Sequence, residues 1–486
     1  MKITIISDKG TKEYFSDRSV RLSDVIKELG VEISMPCAGM GLCGKCIVSV
    51  SGKVSSPSEN EIRILGDRIK SGERLACQTF VQGDSIVLIS EVKELKGEYL
   101  TSEIKPVNPL TGKRKCISSI IDIGTTTVAA QSFEMPSGKL RKSLFQLNAQ
   151  TIYGSDVVSR IDSEINNHNG KLGKIIQNQI TDILNRLDND GDVIITGNTT
   201  MLYLLSNTDV SCLASFPFEI KEIFGKNIKL PRLSENIYLP KTISAFIGSD
   251  IMCGIISSGM MRDENSVLID LGTNSEIVYK HGDKFICASA SAGPVFEGAS
   301  IECGSYSVPG AINSVYNIGN RIEFTSVPGG KVKSICGSGV IDAVAVMLSL
   351  GYIENDGYLE DKVFIGQSDV YISPSDVRKI QLAKSAIFSA LTIVCDDFSK
   401  VDKFYISGGF GSSININNAV RIGLFPKEIL GKVVFCGNTS LSGAKMILFD
   451  ASTKELTENI YKNCKTEVLS QKEEFNKLFV ENMNFG

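Results

Sequence analysis

Four of the 13 cysteines are set apart by their spacing. Cys37, Cys43, Cys46 and Cys77 read C-x5-C-x2-C-x30-C, and the first three share a loop with Gly39, Gly41 and Gly44. Three clustered thiolates plus one distant thiolate suit a [2Fe–2S] cluster. Glycines in such a loop permit positive φ and close backbone approach, so that N–H groups point at the sulfides and stabilise the more negative reduced state. A structural zinc site is the competing reading. Zinc sites usually pair two short C-x-x-C knuckles, however, and only one is present.

A second chemistry is written twice. Ile120-Ile-Asp-Ile-Gly-Thr-Thr-Thr127 is an apolar strand running into Asp122, Gly124, Thr125 and Thr126, and Leu268-Ile-Asp-Leu-Gly-Thr-Asn274 repeats it with Asp270, Gly272, Thr273 and Asn274. An Asp at a strand end can hold Mg²⁺ through water. The turn N–H groups and hydroxyls then form an anion nest for β- and γ-phosphates. Val193-Ile-Ile-Thr-Gly-Asn198 is echoed by Phe404-Tyr-Ile-Ser-Gly-Gly409, and Gly408, Gly409 and Gly411 would let a nucleoside lie against the backbone. Two such loops facing one another would clamp Mg-ATP, with Asp122 and Asp270 as candidate catalytic carboxylates. Glu297, within Ala292-Gly-Pro-Val-Phe-Glu-Gly298, either orients the attacking water or anchors a turn. Gly337 and Ser338 are expected to line the same cleft. Asn198 either reports nucleotide state or caps the helix that starts there.

The elements around these residues can be read from periodicity. Lys2–Ser7 and Glu13–Phe15 are predicted strands, while Leu22, Val25, Ile26 and Leu29 mark one helix face, with Gly30 as its C-terminal stop. Cys46–Val50 alternates as a strand, Ser58-x-x-Glu61 is a capping box, and Ile86–Ile89 is a closing strand. This order resembles the ferredoxin β-grasp, and the extra residue between the first two ligands is more similar to adrenodoxin-type than to chloroplast-type ferredoxins. From Glu91 to Lys115 the chain is charged, irregular and interrupted by Pro and Gly, as a linker would be. The repeated strand–turn–strand units beyond it, alternating with helices, predict mixed sheets covered by helices. They resemble the acetate kinase, sugar kinase, Hsp70 and actin superfamily, a duplicated RNase H-like α/β ATPase. The expected organisation is a multidomain α/β chain: a [2Fe–2S] domain over 1–90, a linker over 91–116, and ATPase halves over 117–245 and 246–486.

Composition narrows the functions. A net charge of −4 argues against non-specific binding to nucleic acid or an anionic membrane surface. No apolar run approaches the ~20 residues of a membrane span, and the first residues lack a signal-peptide pattern, so a cytoplasmic location is expected. Only His168 and His281 are present, which disfavours most zinc-hydrolase sites.

A one-electron carrier joined to an ATPase suggests driving an electron to an unfavourable acceptor. Each ~59 mV of deficit is a tenfold factor, so a few kcal/mol of state-dependent binding offsets roughly 100–200 mV. Taken in order, Ile-Asp-Ile-Gly-Thr-Thr-Thr, Leu-Ile-Asp-Leu-Gly-Thr-Asn-Ser-Glu, Gly-Pro-Val-Phe-Glu-Gly-Ala, Cys-Gly-Ser-Gly-Val-Ile-Asp and Ile-Ser-Gly-Gly-Phe-Gly resemble the reductive activators of corrinoid proteins along nearly the whole chain. That resemblance implies ATP-dependent return of a Co(II) corrinoid to Co(I). The partner would be the corrinoid component of a methyltransferase or O-demethylase system, the electron donor a reduced ferredoxin or flavodoxin. It also allows a homodimer. In this reading Asp-Ile-Gly-Thr follows the linker at once, without the separate middle domain that some members insert, and the tail from Thr453, with Cys464 alone, predicts no second cluster. Alternatives are an activator of another low-potential metalloenzyme, a small-molecule kinase with a redox-sensing domain, or a module that senses the corrinoid state without transferring electrons.

Overall fold

The computed structural model describes the chain except residues 8–9, 32, 34, 36–38, 40, 42–45, 90–114, 155, 169, 231–236 and 409–413. Cys37, Cys43, Gly409, Gly411 and nearly all of the expected linker therefore lie outside the described residues. Two compact units are present. One combines the N-terminal residues with Thr125–Thr127 and Gln146–Gln179, and the other contains the sheets of the remaining chain.

In the first unit, β1 (Lys2–Ser7), β2 (Gly10–Phe15), β3 (Val20–Arg21), β4 (Ile47–Val54), β5 (Glu73–Leu75) and β6 (Phe80–Leu88) form one sheet, ordered β2-β1-β6-β4-β5 with β3 on β6. Helix α1 (Leu22–Glu28) buries Leu22, Val25 and Ile26 against Ile3, Ile5, Val81 and Val87. Each such side chain contributes on the order of 1.5–3 kcal/mol. Gly30, at φ 61°, ends that turn as expected. Helix α2 (Glu59–Leu65) starts at a formed Ser58/Glu61 capping box. The closing strand β6 is longer than its Ile86–Ile89 signal. The polar run Gln82-Gly-Asp-Ser85 hides an alternation in which Val81, Ser85 and Val87 face inward.

The other unit is built on a repeated sheet. In the first half, β7 (Cys116–Ile123), β8 (Thr127–Met135), β9 (Lys139–Leu147), β10 (Val193–Gly197), β11 (Lys226–Ile228) and β12 (Ile237–Leu239) are ordered β11-β12-β10-β7-β8-β9. In the second, β13 (Asn265–Leu271), β14 (Ser275–His281) and β15 (Lys284–Ala290) form the meander. The small strands β16 (Ala311–Ile318), β17 (Arg321–Ser326), β18 (Ser334–Ile335), β19 (Val363–Phe364) and β20 (Tyr371–Ile372) follow it. With β21 (Lys403–Ser407), β22 (Val433–Gly437) and β23 (Cys464–Thr466), the second large sheet is ordered β22-β21-β13-β14-β15-β23. In both halves the first two strands are antiparallel, and the later pair (β10 and β12, or β21 and β22) stacks parallel beside the first.

Helices cover these sheets. In the first half they are α5 (Thr199–Ser206) and α6 (Ser249–Ser258), whereas α3 (Val157–Ser163) belongs to the thiolate-domain unit and α4 (Lys171–Arg186) is divided between the two units. In the second they are α7 (Gly337–Ser349), α8 (Pro374–Val394), α9 (Ile416–Arg421), α10 (Thr439–Phe449) and α11 (Ser452–Lys462). The equivalent helices α6 and α10 cross closely. A Cβ on Gly443 would stand 2.3 Å from the Cys253 carbonyl, and Ser257 Oγ donates to the Thr439 carbonyl at 2.8 Å.

Candidate functional site

Cys46 precedes β4 and Cys77 lies in the turn after β5, both buried, with Sγ atoms 3.3 Å apart. That is far beyond the ~2.05 Å of a disulfide. It is near the roughly 3.8 Å edge expected for two thiolates on one tetrahedral ion with ~2.3 Å bonds. The donor set and its spacing fit an iron–sulfur group. Gly39 and Gly41 take φ values of 88° and 73°, the positive angles expected of the loop. Gln78 Nε2 donates to the Gly39 carbonyl at 2.9 Å and lies 3.8 Å from Cys77 Sγ, tying Gly39 to Cys77.

A buried ion pair fixes Cys77. Glu61 accepts from Arg74 Nε at 2.9 Å, Arg74 Nη2 at 3.0 Å, Leu75 N at 3.0 Å and Thr79 Oγ1 at 3.1 Å, so it holds the chain on both sides of Cys77. Burial pushes the Glu61 carboxyl up, but the Arg74 guanidinium and the N–H groups of Ser58 and Leu75 outweigh it and hold it below its usual range.

The two Asp motifs occupy equivalent places. Thr196 is the ladder partner of Asp122, and Ser407 that of Asp270. A Cβ on Gly197 would lie 2.6 Å from the Ile123 carbonyl, and one on Gly408, at φ 101°, 2.3 Å from that of Leu271. Each glycine thus lets the later strand pass the residue that follows the Asp. The halves then diverge. Ser407 Oγ donates to Asp270 Oδ2 at 2.7 Å, whereas Thr196 Oγ1 pairs with Ser249 Oγ at 2.9 Å. Asp122 is served instead from the start of α10, by Asn438 Nδ2 at 3.2 Å and Ser440 Oγ at 2.9 Å.

Two further carboxylates converge there. Burial, with repulsion from Asp122 and Asp270, pushes Asp250 in the first turn of α6 up to about 8. Glu276 is raised by burial and by Asp250 and Asp270, and it accepts from Ser289 Oγ at 3.3 Å. Asp122 is pushed up to about 6, chiefly by burial, against the bonds from Ser440 and Asn438. Asp270 is also raised by burial, opposed by Ser407. Asp270 and Glu276 are direct cross-strand partners, an arrangement of like charges that destabilises a sheet without a counter-charge. Ionised, such a group can hold a cation; protonated, it is relieved of its own repulsion. Among the described residues no three acidic, His or Cys side chains form a closed metal cage. One or two carboxylates with water and phosphate oxygens are the usual way a protein holds Mg²⁺.

The other sequence candidates are brought together unevenly. Thr273 Oγ1 donates to Glu297 Oε1 at 2.9 Å, so Glu297 anchors the second turn. A Cβ on Gly337 would stand 1.6 Å from the Phe296 carbonyl, which places the start of α7 against the Glu297 segment. Ser338 Oγ donates to the Asn313 carbonyl at 2.7 Å, and Asn198 Oδ1 accepts from Met201 N at 2.9 Å as the cap of α5. Thr125 and Thr126 belong to the unit of the thiolate domain. There the Thr126 carbonyl accepts from Asn148 N at 2.9 Å, and the Thr125 carbonyl accepts from Arg160 Nη2.

Sequence reasoning missed Asp250, Glu276, Asn438 and Ser440. Glu276 could have been found by counting, since a hairpin whose turn is Gly272-Thr-Asn274 sets it opposite Asp270. Asp250, Asn438 and Ser440 read only as helix starts, and their approach to Asp122 is a long-range event.

Fold and site together define a class: an iron–sulfur domain of ferredoxin type followed by a duplicated α/β domain of the ASKHA type. The comparisons make this particular. A model described as a 2Fe-2S iron-sulfur cluster binding domain matches residues 6–82, the RACo middle region matches 118–263, and the C-terminal ASKHA domain of RACo matches 264–486. The chain belongs to the family of reductive activators of corrinoid proteins. It is 26% identical to the corrinoid activation enzyme RamQ of Eubacterium limosum over 96% of each chain. It is also 26% identical to a [Co(II) methylated amine-specific corrinoid protein] reductase of Methanosarcina barkeri, over 75% of this chain and 76% of that one. A solved reductive activator for corrinoid, iron–sulfur protein superposes with a TM-score of 0.68 at 24% identity, over 99% of this chain and 98% of that one. One expectation is corrected. The family's middle region is not missing, because its model matches the segment beginning at β7 that the sequence presents as the first ATPase half.

Proposed function

We propose that this chain is an ATP-dependent reductive activator, which passes one electron from a low-potential donor to a Co(II) corrinoid protein of a methyltransferase system and leaves it as Co(I). The observation that carries this reading is the union, in one family member, of a paired-thiolate site at Cys46 and Cys77 with the carboxylate group around Asp122 and Asp270. Cys37, Cys43, Cys46 and Cys77 would hold a [2Fe–2S] cluster, which when bound supplies one-electron transfer. The buried surroundings of Cys46 and Cys77 keep water from that side.

Asp122 and Asp270 would hold Mg²⁺ through its water shell, with Gly124, Thr125, Thr126, Gly272, Thr273 and Asn274 on the phosphates. Gly408 and Gly409 would admit the nucleoside. Asp250 and Glu276 would add negative charge beside a bound cation, and their raised pKa values would couple its arrival to proton release. Ser440 and Asn438 favour the ionised form of Asp122, the form that binds a cation. The physiological donor is a reduced ferredoxin or flavodoxin, and the partner is a corrinoid protein. No helix among the described residues is long and apolar enough to cross a membrane.

The test is anaerobic. The iron-loaded protein, a strong reductant and an oxidised corrinoid protein are mixed with or without Mg-ATP while the Co(I) absorption band is followed. The reading expects Co(I) to accumulate only with Mg-ATP. Equal accumulation without nucleotide, or a purified protein free of iron and sulfide, overturns it.

A further inference from the structure

The segment Cys336-Gly-Ser-Gly-Val-Ile-Asp342 seats the start of α7 on β16. Cys336 N donates to the Ile312 carbonyl at 2.9 Å, and Ser338 Oγ donates to that of Asn313 at 2.7 Å. A Cβ on Gly339 would stand 2.5 Å from the Ile312 carbonyl, so glycine is what lets the helix lie this close. One turn further on, the buried carboxyl of Asp342 accepts from three neutral donors. Ser314 Oγ at 2.9 Å and Val315 N at 3.2 Å share its Oδ2, while Asn418 Nδ2 of α9 reaches Oδ1 at 2.7 Å. Removing one such donor leaves a buried acceptor less well satisfied, which is costly.

Helix α9 has six residues, too few to stay helical by itself in water. What it packs on sets its place. Ala419 is buried in the same core as Val340 and Val344 of α7, and Asn415 caps the helix by accepting from Asn418 N at 3.2 Å. The Asn418–Asp342 bond therefore fixes the first turn of α9, the end nearer Gly408 in the chain. The start of α7 meets the phosphate side instead. Gly337 abuts the Phe296 carbonyl, and the adjoining Glu297 accepts from Thr273 Oγ1 at 2.9 Å. All of these residues belong to one compact unit.

We propose that Asp342 is a positioning residue for the nucleoside of ATP: through Asn418 it holds the first turn of α9 as a wall of the nucleoside site that begins at Gly408. This rests on the nucleotide reading given above, and adds which helix bounds the nucleoside. Helix α7 then links the two sides of the site, with the Thr273 turn at its start and α9 one turn along. Because all three partners of Asp342 donate, the two side chains can be exchanged. In Asp342→Asn with Asn418→Asp, the amide oxygen at 342 accepts from Ser314 and Val315, and its N–H donates to the carboxylate at 418.

Titration calorimetry on the full iron-loaded chain compares Mg-ATP with Mg-tripolyphosphate, which keeps the phosphates and lacks the nucleoside. Asn418→Ala and Asn418→Asp should each weaken Mg-ATP binding about tenfold, with Mg-tripolyphosphate affinity and kcat within about twofold of the parent. Unchanged tripolyphosphate binding also shows that these variants fold. The exchanged pair should recover Mg-ATP affinity to within about threefold of the parent. Equal weakening of both ligands in the single variants, or Mg-ATP affinity that moves in neither, overturns the proposal. So does an exchanged pair that binds Mg-ATP no better than Asn418→Asp alone. A parent chain that binds no Mg-ATP removes the nucleotide reading, and this proposal with it.

Discussion

Ser440 Oγ donates to Asp122 Oδ1 across 2.9 Å, joining residues 318 positions apart in sequence and in opposite halves of the duplicated fold. The bond sits beside the crossing of α6 and α10, where Gly443 abuts the Cys253 carbonyl. It does two things at once: it ties the halves, and it favours the ionised form of a carboxyl that burial pushes up to about 6.

Mg-ATP binding should therefore depend on pH. A cation requires Asp122 ionised, so affinity should fall by up to about tenfold per pH unit below about 6. Ser440→Ala removes a bond that lowers the Asp122 pKa, and the midpoint of this profile should move to higher pH. Titration calorimetry from pH 5 to 8 checks both, and an unmoved midpoint contradicts the role given to Ser440.

Stability of the nucleotide-free protein should run the other way. Asp122 and Asp250 have pKa values raised to about 6 and about 8, so their contribution is complete below the ordinary carboxylate value of 3.8 and is lost as pH rises through the raised values. The Tm without nucleotide should fall between pH 5.5 and 8.5. Asp250→Asn should flatten that slope and hold or raise Tm at pH 8 while abolishing ATP turnover. Scanning calorimetry with an ATPase assay measures the pair, and a variant that loses both stability and slope would count against it.

In the thiolate domain the sign is opposite. Glu61 is held below its usual range, so the stability it confers is present above about 4.5 and is lost as pH falls through the depressed value. Glu61→Gln should weaken the clamp on Arg74, and Glu61→Leu, which strands Arg74 buried, should cost about 3–5 kcal/mol. Visible absorbance during thermal melting reports the loss. Retention of the parent melting curve in Glu61→Leu would refute the clamp.

Gly408 has no room for a side chain, with φ at 101° and the Leu271 carbonyl 2.3 Å from an ideal Cβ. Gly408→Ala should cost at least about 1–3 kcal/mol and weaken nucleotide binding, leaving the absorption of the thiolate domain intact. Comparing Tm, nucleotide affinity and iron content separates the two effects.

Cys77→Ser should lose most of the bound iron, while nucleotide affinity stays within about twofold because the carboxylate group is built by other elements. Iron and sulfide assays with calorimetry on one preparation check this.

Local pattern made much of this legible. Cysteine spacing, the Ser58/Glu61 capping box and the repeated Asp-x-Gly-Thr strands are short-range signals, and the structure pairs Asp122 with Thr196 and Asp270 with Ser407 as the sequence echo suggests. The start of β6, Phe80–Ser85, is obscured because its inward register carries Gly83 and Ser85. Glu297 and Asn198, each open to two readings, are found anchoring Thr273 and capping α5.

By itself, the sequence singled out four cysteines and two strand-end carboxylates and set an iron–sulfur domain ahead of an ASKHA domain, because each depends on residue type at close spacing. Only the tertiary structure decided that Asp250 and Glu276 join those carboxylates, that Ser440 rather than Thr196 serves Asp122, and that Arg160 holds Thr125 within the unit of the thiolate domain. Those relations arise where distant elements pack, and burial there, rather than residue identity alone, sets the charge each group carries.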